Sequence, residues 1–223
     1  PGNEILSSAN SAESYGSNRL TSFDSDGFSL GDSGGQNQNG ATFVAWAWKA
    51  GNQWQSNVDG GINSLVNANT ANGFSIVKYT ATGTTATVGH GLSSAPEFIM
   101  AKVTNQAYDW LVYHVSLGND KAVSLHSTAA AATNSFMNDT TPTSTVFTAK
   151  SGNNLNYADG NEIIAYCFHS VSGFSKIGSY TGNGSSNRSI TGLGFQHSFV
   201  LLKNSDSGST YWAIFDSVRG GAL

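Results

Sequence analysis

Two matching segments decide the fold of this chain: residues 40–48 read GATFVAWAW and residues 160–168 read GNEIIAYCF. Successive side chains of a β-strand point to opposite faces, so alternate positions of each segment form two rows. In the first segment Val44, Trp46 and Trp48 form one row, and the other row is mostly small residues. Because both rows are largely apolar in both segments, the pattern predicts two central strands that are covered on each face.

The similarity extends beyond these two segments. Residues 73–80 match residues 173–181, since both begin with Gly-Phe-Ser and continue with β-branched and aromatic residues. Two further pairs follow in the same order, residues 98–102 with 199–203 and residues 110–113 with 212–215. Each segment has the length and composition of a strand. Such ordered self-similarity predicts an internal duplication.

The duplication predicts two units, a first β unit at residues 1–117 and a second at residues 118–223. About twenty residues of the first unit have no counterpart in the second; they are residues 51–72, predicted to be a long inserted loop. The second unit also stops before its last expected strand. The N-terminal strand is therefore expected to complete it, either in the same chain or in a neighbouring copy through donor-strand exchange.

Composition limits the classes of protein to which the chain can belong. Only 11% of the 223 residues are charged, and 26 are glycine, so the charged faces of surface helices cannot be built. A formal net charge of −4 without a basic stripe argues against a nucleic-acid ligand. The longest apolar runs are too short to insert into a membrane. We expect an all-β fold of two antiparallel units, packed as a jelly-roll-like body or as paired β-sandwiches.

Six segments resemble a domain of unknown function found in tail-fibre-like structural proteins of tailed, especially marine, bacteriophages. They are VAWAWKAG (44–51), ANGFSIV (71–77), GHGL (89–92, followed by Ala95-Pro96), WLVYH (110–114), TPTSTVF (141–147) and GFSKIGSYTGNG (173–184). The resemblance implies a virion location and partners that are copies of the chain itself and other virion proteins. It implies no catalytic residue.

No catalytic or metal site is predicted. The carboxylates are scattered without a pair that would flank a glycosidic bond, and the histidines lack metal-ligand spacing. The Asp24-Ser25-Asp26-Gly27 sequence has no later calcium ligands and is expected to be a turn. Cys167 lies in an apolar strand and is expected to be a buried thiol. We therefore expect neither an enzyme nor a cofactor.

Exposed loop residues are the best candidates for ligand or receptor contacts. In the inserted segment these are Asn52, Gln53 and Trp54, and in a Gly-rich turn they are Asn183 and Asn187. An aromatic ring in a loop can pack on a sugar, so a host-surface glycan is a possible partner. The expected function is a self-assembling virion protein of a tail fibre or particle surface. Two alternatives stay open: a secreted carbohydrate-binding module and a self-assembling extracellular fibre subunit.

Overall fold

The computed structural model describes residues 2–219, and it is all-β, with 33% of the chain in strands and 3% in helices. This confirms the all-β part of the predicted fold class. The strands are β1 (Asn3–Glu4), β2 (Ser14–Tyr15), β3 (Leu20–Asp24), β4 (Gly27–Leu30), β5 (Gln55–Asn57), β6 (Ser64–Asn69), β7 (Phe74–Thr80), β8 (Ala86–Gly89), β9 (Phe98–Val103), β10 (Leu111–His114), β11 (Lys121–Ser124), β12 (Ala132–Thr133), β13 (Val146–Ala149), β14 (Glu162–Phe168), β15 (Phe199–Leu202) and β16 (Ala213–Asp216). A short helix, α1 (Gly34–Asn37), and one 3₁₀ turn (Val115–Leu117) interrupt them.

The main element is an eight-stranded antiparallel sheet with the strand order β12-β11-β10-β9-β14-β7-β6-β5. β14 lies between β9 and β7, and Ala165 at its centre is opposite both Val77 and Ala101. The prediction of a central strand at residues 160–168 is confirmed. Small side chains at these three positions let the neighbouring strands carry their larger side chains without crowding.

One face of the sheet carries the hydrophobic core. Ile163, Ala165 and Cys167 alternate along β14 and are fully buried on this face, where β8 and β13 pair with each other and cover it with Val88 and Phe147. Burial raises the pKa of the Cys167 thiol to about 12, because it disfavours the charged thiolate. The predicted buried, unreactive cysteine is what this environment produces.

Buried polar groups hold the β8–β13 pair in place. The ring of His90 bridges two loops, since its Nδ1 accepts from the backbone N–H of Leu92 at 3.1 Å and its Nε2 lies 3.1 Å from the carbonyl oxygen of Thr143. The hydroxyl of Tyr79, on β7, donates to the carbonyl oxygen of Leu155 at 3.1 Å. These bonds fix the loops that flank the core, because a buried polar atom without a partner is costly.

The prediction of a central strand at residues 40–48 is wrong. The segment has no regular secondary structure, and its large side chains are exposed, with Trp46 at 38% and Trp48 at 53%. Its match, β14, is flanked by two partner strands, whereas residues 40–48 pair with no described strand. Residues 173–181 likewise form no ladder beyond one isolated bridge between Val171 and Ser175. Alternation alone does not make a strand without a neighbour to accept its hydrogen bonds.

The inserted segment 51–72 is also different from expectation, because it is not a loop. It contains β5 and β6, which form a hairpin at one edge of the main sheet, and Val66 of β6 points into the core. The turn between these strands approaches β8 closely, where Ile62 bridges to Val88. The polar composition of the segment led to the loop prediction, but an edge strand can carry polar residues on its open side.

The main sheet takes strands from both sides of residue 117, since β10 and β11 are consecutive strands on either side of the Val115–Leu117 turn. At the N-terminus, β1 pairs with β2, the backbone N–H of Glu13 donates to the carbonyl oxygen of Thr104 at 2.7 Å, and the carbonyl oxygen of Leu6 accepts from the indole N–H of Trp110 at 3.0 Å. The N-terminal segment therefore docks beside β9 and β10 of its own chain. Whether it completes a second unit stays a prediction.

Candidate functional site

The second face of the main sheet carries aromatic rings at one end of its central strands. Phe74 of β7 stacks on Phe168 of β14 with ring centroids 4.7 Å apart, and Phe98 of β9 lies 5.8 Å from Phe168 on the other side. The three residues are opposite one another in the ladder, so the strand register itself brings the rings together. This row forms a rigid aromatic platform.

Four more aromatic residues from outside the main sheet join this platform. Trp48 lies 6.4 Å from Phe168 and 6.1 Å from Phe199 of β15, and Trp46 lies 5.7 Å from Phe199. Trp212, next to β16, lies 6.4 Å from Phe98. We call these seven residues the aromatic cluster: Phe74, Phe98, Phe168, Trp46, Trp48, Phe199 and Trp212.

The cluster is open to solvent at the segment that the sequence predicted to be a strand. We call residues 43–48 the exposed strip; Phe43, Val44, Trp46 and Trp48 of this segment are all exposed. The guanidinium of Arg219 lies 5.5 Å from the ring of Trp46, a cation–π contact. A contiguous apolar surface of this kind on a folded protein is characteristic of an interaction surface.

Unpaired backbone accompanies these exposed rings. β15 pairs with β16 on one side, with Leu201 opposite Ile214, and with no described strand on the other. The exposed strip runs beside β15, yet its residues form no backbone hydrogen bond with another described residue. An extended segment and an open strand edge both present rows of donors and acceptors, which is the template for strand addition.

Contacts of the β9–β10 hairpin recur around the β15–β16 hairpin. The amine of Lys102 donates to the carbonyl oxygen of the next residue at 2.7 Å, and that of Lys203 does the same at 3.0 Å. The indole of Trp110 donates to Leu6, and that of Trp212 donates to the carbonyl oxygen of Ser124 at 2.9 Å. Burial lowers the pKa of both lysines, since it disfavours the ammonium ion.

The predicted contact residues are all on the surface. Asn52, Gln53 and Trp54 are exposed immediately before the edge strand β5, and Trp54 is 50% exposed. Asn183 and Asn187 are exposed in the segment before β15; Asn183 accepts a hydrogen bond from the backbone N–H of Ser185, and Asn187 has a positive φ of 58°. Among the described residues, no hydrogen bond or ring contact joins the two groups.

Titratable side chains do not form a metal-binding group in the described part of the chain. No cluster of three or more His, Cys, Asp or Glu residues could hold a metal ion there. The carboxylate of Asp24 accepts hydrogen bonds from Ser22 and Ser29, which lower its pKa, and it lies in the hairpin between β3 and β4. Residues 2–219 also contain no helix long and apolar enough to cross a membrane.

Sequence reasoning found the members of the aromatic cluster but assigned Trp46 and Trp48 to a covered strand. One signal in the sequence could have corrected this. Residues 173–181 align with β7, a neighbour of β14, and are therefore the expected partner of residues 40–48. They contain one residue more than their match and two glycines, which weaken a strand.

The family model described as Domain of unknown function (DUF7483) matches residues 1–222. The chain belongs to this family. The match includes both the main sheet and the exposed strip of this DUF7483 domain. No curated protein and no solved structure matches the chain.

Proposed function

We propose that the chain is a non-enzymatic structural protein of a virus particle, a tail-fibre or surface domain, and that it assembles with copies of itself. The observation that carries the proposal is the exposed strip, whose unpaired backbone and exposed tryptophans lie beside the open edge of β15. The resemblance to tailed-phage structural proteins supports the virion assignment, and its partners are then other copies and other virion proteins.

The internal duplication belongs to this proposal and indicates which strands meet. Residues 40–48 align with β14, and β15 aligns with β9, the direct neighbour of β14. Trp48 aligns with Phe168, and Phe199 aligns with Phe98. The ring contact of Trp48 with Phe199 therefore repeats the ring contact of Phe168 with Phe98. The aligned glycines Gly73 and Gly173 share a positive φ, 64° and 75°.

Equivalent hydrogen bonds support the alignment of the two units. Trp110 and Trp212 are aligned, and residues 6–9 (LSSA) resemble residues 125–129 (LHSTA). Trp110 donates to the carbonyl oxygen of Leu6, and Trp212 donates to that of Ser124, which is next to Leu125. Each tryptophan thus anchors a residue near the start of its own unit, Leu6 in residues 1–117 and Ser124 in residues 118–223.

The register of the intersubunit pair follows from β14. Ala165 is opposite Ala101, and these residues align with Ala45 and Leu202. We therefore expect the exposed strip of one copy to add to β15 of another, with Ala45 opposite Leu202, in place of the ring contacts that Trp46 and Trp48 make with Phe199 of their own chain. Main-chain hydrogen bonds would supply the geometry, and burial of Trp46 and Trp48 would supply most of the free energy of association.

Single-cysteine variants test this pairing. Ala45→Cys and Leu202→Cys are made in separate proteins, mixed, and oxidised under mild conditions; directly opposite positions are within disulfide distance. The buried Cys167 does not interfere, since its thiol is fully buried. We expect a disulfide-linked heterodimer, and much less product when Leu201→Cys replaces Leu202→Cys, because Leu201 points to the opposite face.

Two results would count against the proposal. A doubly substituted chain that forms only an internal disulfide would show that the strip closes on its own β15. Equal cross-linking at Leu201 and Leu202 would show collision without register. Rods or rings in electron micrographs of the purified protein would support assembly, whereas a monomer at all concentrations would favour a carbohydrate-binding module.

Contact with a host surface is the second part of the proposal. The exposed residues Asn52, Gln53 and Trp54 border the outer edge of the main sheet, at the opposite end of the strand order from β12. Asn183 and Asn187 are a second exposed group. A rigid sheet that displays a tryptophan and amide side chains can make shallow polar contacts with a host-surface glycan.

A further inference from the structure

A pocket of about 450 Å³ lies at the β10–β12 end of the main sheet, outside every group of residues considered so far. Leu111 of β10 and Ala122 of β11, both buried, form its apolar floor. Loops that precede β10, follow β12 and follow β13 form its walls. A concave apolar floor of this size with polar walls is the usual form of a small-molecule site.

Two tyrosines form one wall of the pocket. Tyr108 and Tyr157 come from different loops, and their ring centroids are 5.8 Å apart at an interplanar angle of 58°. Tyr108 is partly buried against the core, whereas Tyr157 is 56% exposed. A fixed inner ring and an exposed outer ring provide flat amphipathic surfaces on which the C–H face of a sugar can pack.

Three asparagines provide hydrogen-bonding groups along the other walls. The amide nitrogen of Asn153 donates to the side-chain oxygen of Asn134 at 3.1 Å, which orients both amides. Several side-chain groups of these asparagines have no hydrogen-bond partner among the described residues. They are the side-chain N–H groups of Asn134, the side-chain oxygen of Asn153 and the whole side-chain amide of Asn154. Donors and acceptors are therefore both available, as the hydroxyl groups of a saccharide require.

The charge of the pocket narrows the class of ligand. Asp109 contributes a carboxylate, and one of its oxygens lies 3.2 Å from Nε2 of His126, while no described residue that lines the pocket is Lys or Arg. An acidic side chain in the lining, with no lining Lys or Arg to offset it, disfavours phosphate, sulfate and acidic sugars. The second oxygen of Asp109 can accept from a sugar hydroxyl.

We infer that this pocket binds a neutral saccharide of one or two rings, with Tyr157 as the stacking residue and Asn153, Asn154 and Asp109 as the hydrogen-bonding residues. Binding here does not rest on self-assembly, because the pocket lies at β10–β12 and the proposed assembly surface lies at the exposed strip and β15. It would give the proposed host-surface contact a defined site that differs from the Trp54 loop.

A glycan array followed by saturation-transfer NMR with free sugars tests the inference on the full chain. We expect neutral mono- or disaccharides to bind and sialylated or sulfated ones not to bind. Tyr157→Ala and Asn154→Ala should each weaken binding about ten-fold, the effect of losing a stacking ring or a buried hydrogen bond. Tyr15→Ala, which removes an exposed tyrosine of β2 (71% exposed, against 56% for Tyr157), is the control and should leave binding unchanged.

Three outcomes would overturn the inference: no neutral saccharide binds, acidic glycans bind more tightly, or binding survives both pocket variants. If Trp54→Ala abolishes binding and Tyr157→Ala does not, the contact lies in the loop and not in the pocket. Sedimentation of the same variants keeps the two proposals separate. A variant that loses glycan binding but still assembles bears only on the pocket proposal. A monomer that still binds sugar bears only on the assembly proposal.

Discussion

Replacing Trp48 with serine should weaken self-association by about two orders of magnitude. The side chain is 53% exposed in the single chain. A large aromatic side chain buries about 150–250 Å², so an interface that covers Trp48 would bury about 80–130 Å² more of it. At about 25 cal/mol per Å² this is about 2–3 kcal/mol, and each 1.4 kcal/mol corresponds to about a ten-fold change in Kd.

Sedimentation velocity over a concentration series measures this change. Trp54→Ser is the matched control, since Trp54 is 50% exposed and its loss removes nearly the same area at the far edge of the main sheet. Thermal unfolding monitored by circular dichroism must show that both variants stay folded. If the two variants associate like the unsubstituted protein, or if both weaken association equally, the exposed strip is not the interface.

Three further predictions follow from buried or constrained positions. In urea titrations, Gly73→Ala should lower the free energy of unfolding by about 3 kcal/mol and Gly173→Ala by no more than about 1 kcal/mol. A Cβ at Gly73 would lie 2.6 Å from a carbonyl oxygen, whereas one at Gly173 meets no atom within 4 Å. Equal losses in the two variants would contradict this prediction. Burial lowers the pKa of His90 from 6.5, so the unfolded chain binds more protons than the folded one as the pH falls below that value. Tm should therefore be highest above pH 6.5 and fall as the pH drops towards the lower native pKa. The His90→Gln variant should show a smaller dependence of Tm on pH. Cys167 should react with a thiol reagent only on unfolding, and rapid labelling of the native protein would show that the core opens.

Much of the main sheet could be predicted from residues 160–168 and their neighbours. Alternating large and small apolar side chains in this segment predict a strand with both faces in contact with protein, and β14 is the central strand of the sheet. The matches at residues 73–80, 98–102 and 199–203 were also strands. In these segments the local pattern and the available partners agree, which is the condition under which sequence patterns are reliable.

Residues 40–48 show why the same pattern can fail. They alternate as residues 160–168 do, but a strand needs backbone partners on its edges, and the sequence of the segment does not contain them. In the described structure the exposed strip forms no backbone pair with β15 or any other described strand, and four large apolar side chains stay on the surface. The hairpin at residues 51–72 is the converse case, because the main sheet supplies a partner for a polar segment that looks like a loop.

The local order of apolar and small residues is enough to predict the all-β class, the central strand and the buried cysteine. Which strand edges remain open and which loops meet depends on the tertiary structure. The pocket is the clearest example, because Tyr108, Asn134, Asn154 and Tyr157 come from three loops that share no sequence pattern. Strands that are far apart in the sequence pair with each other and bring such residues together, and a local sequence pattern does not show which strands will pair.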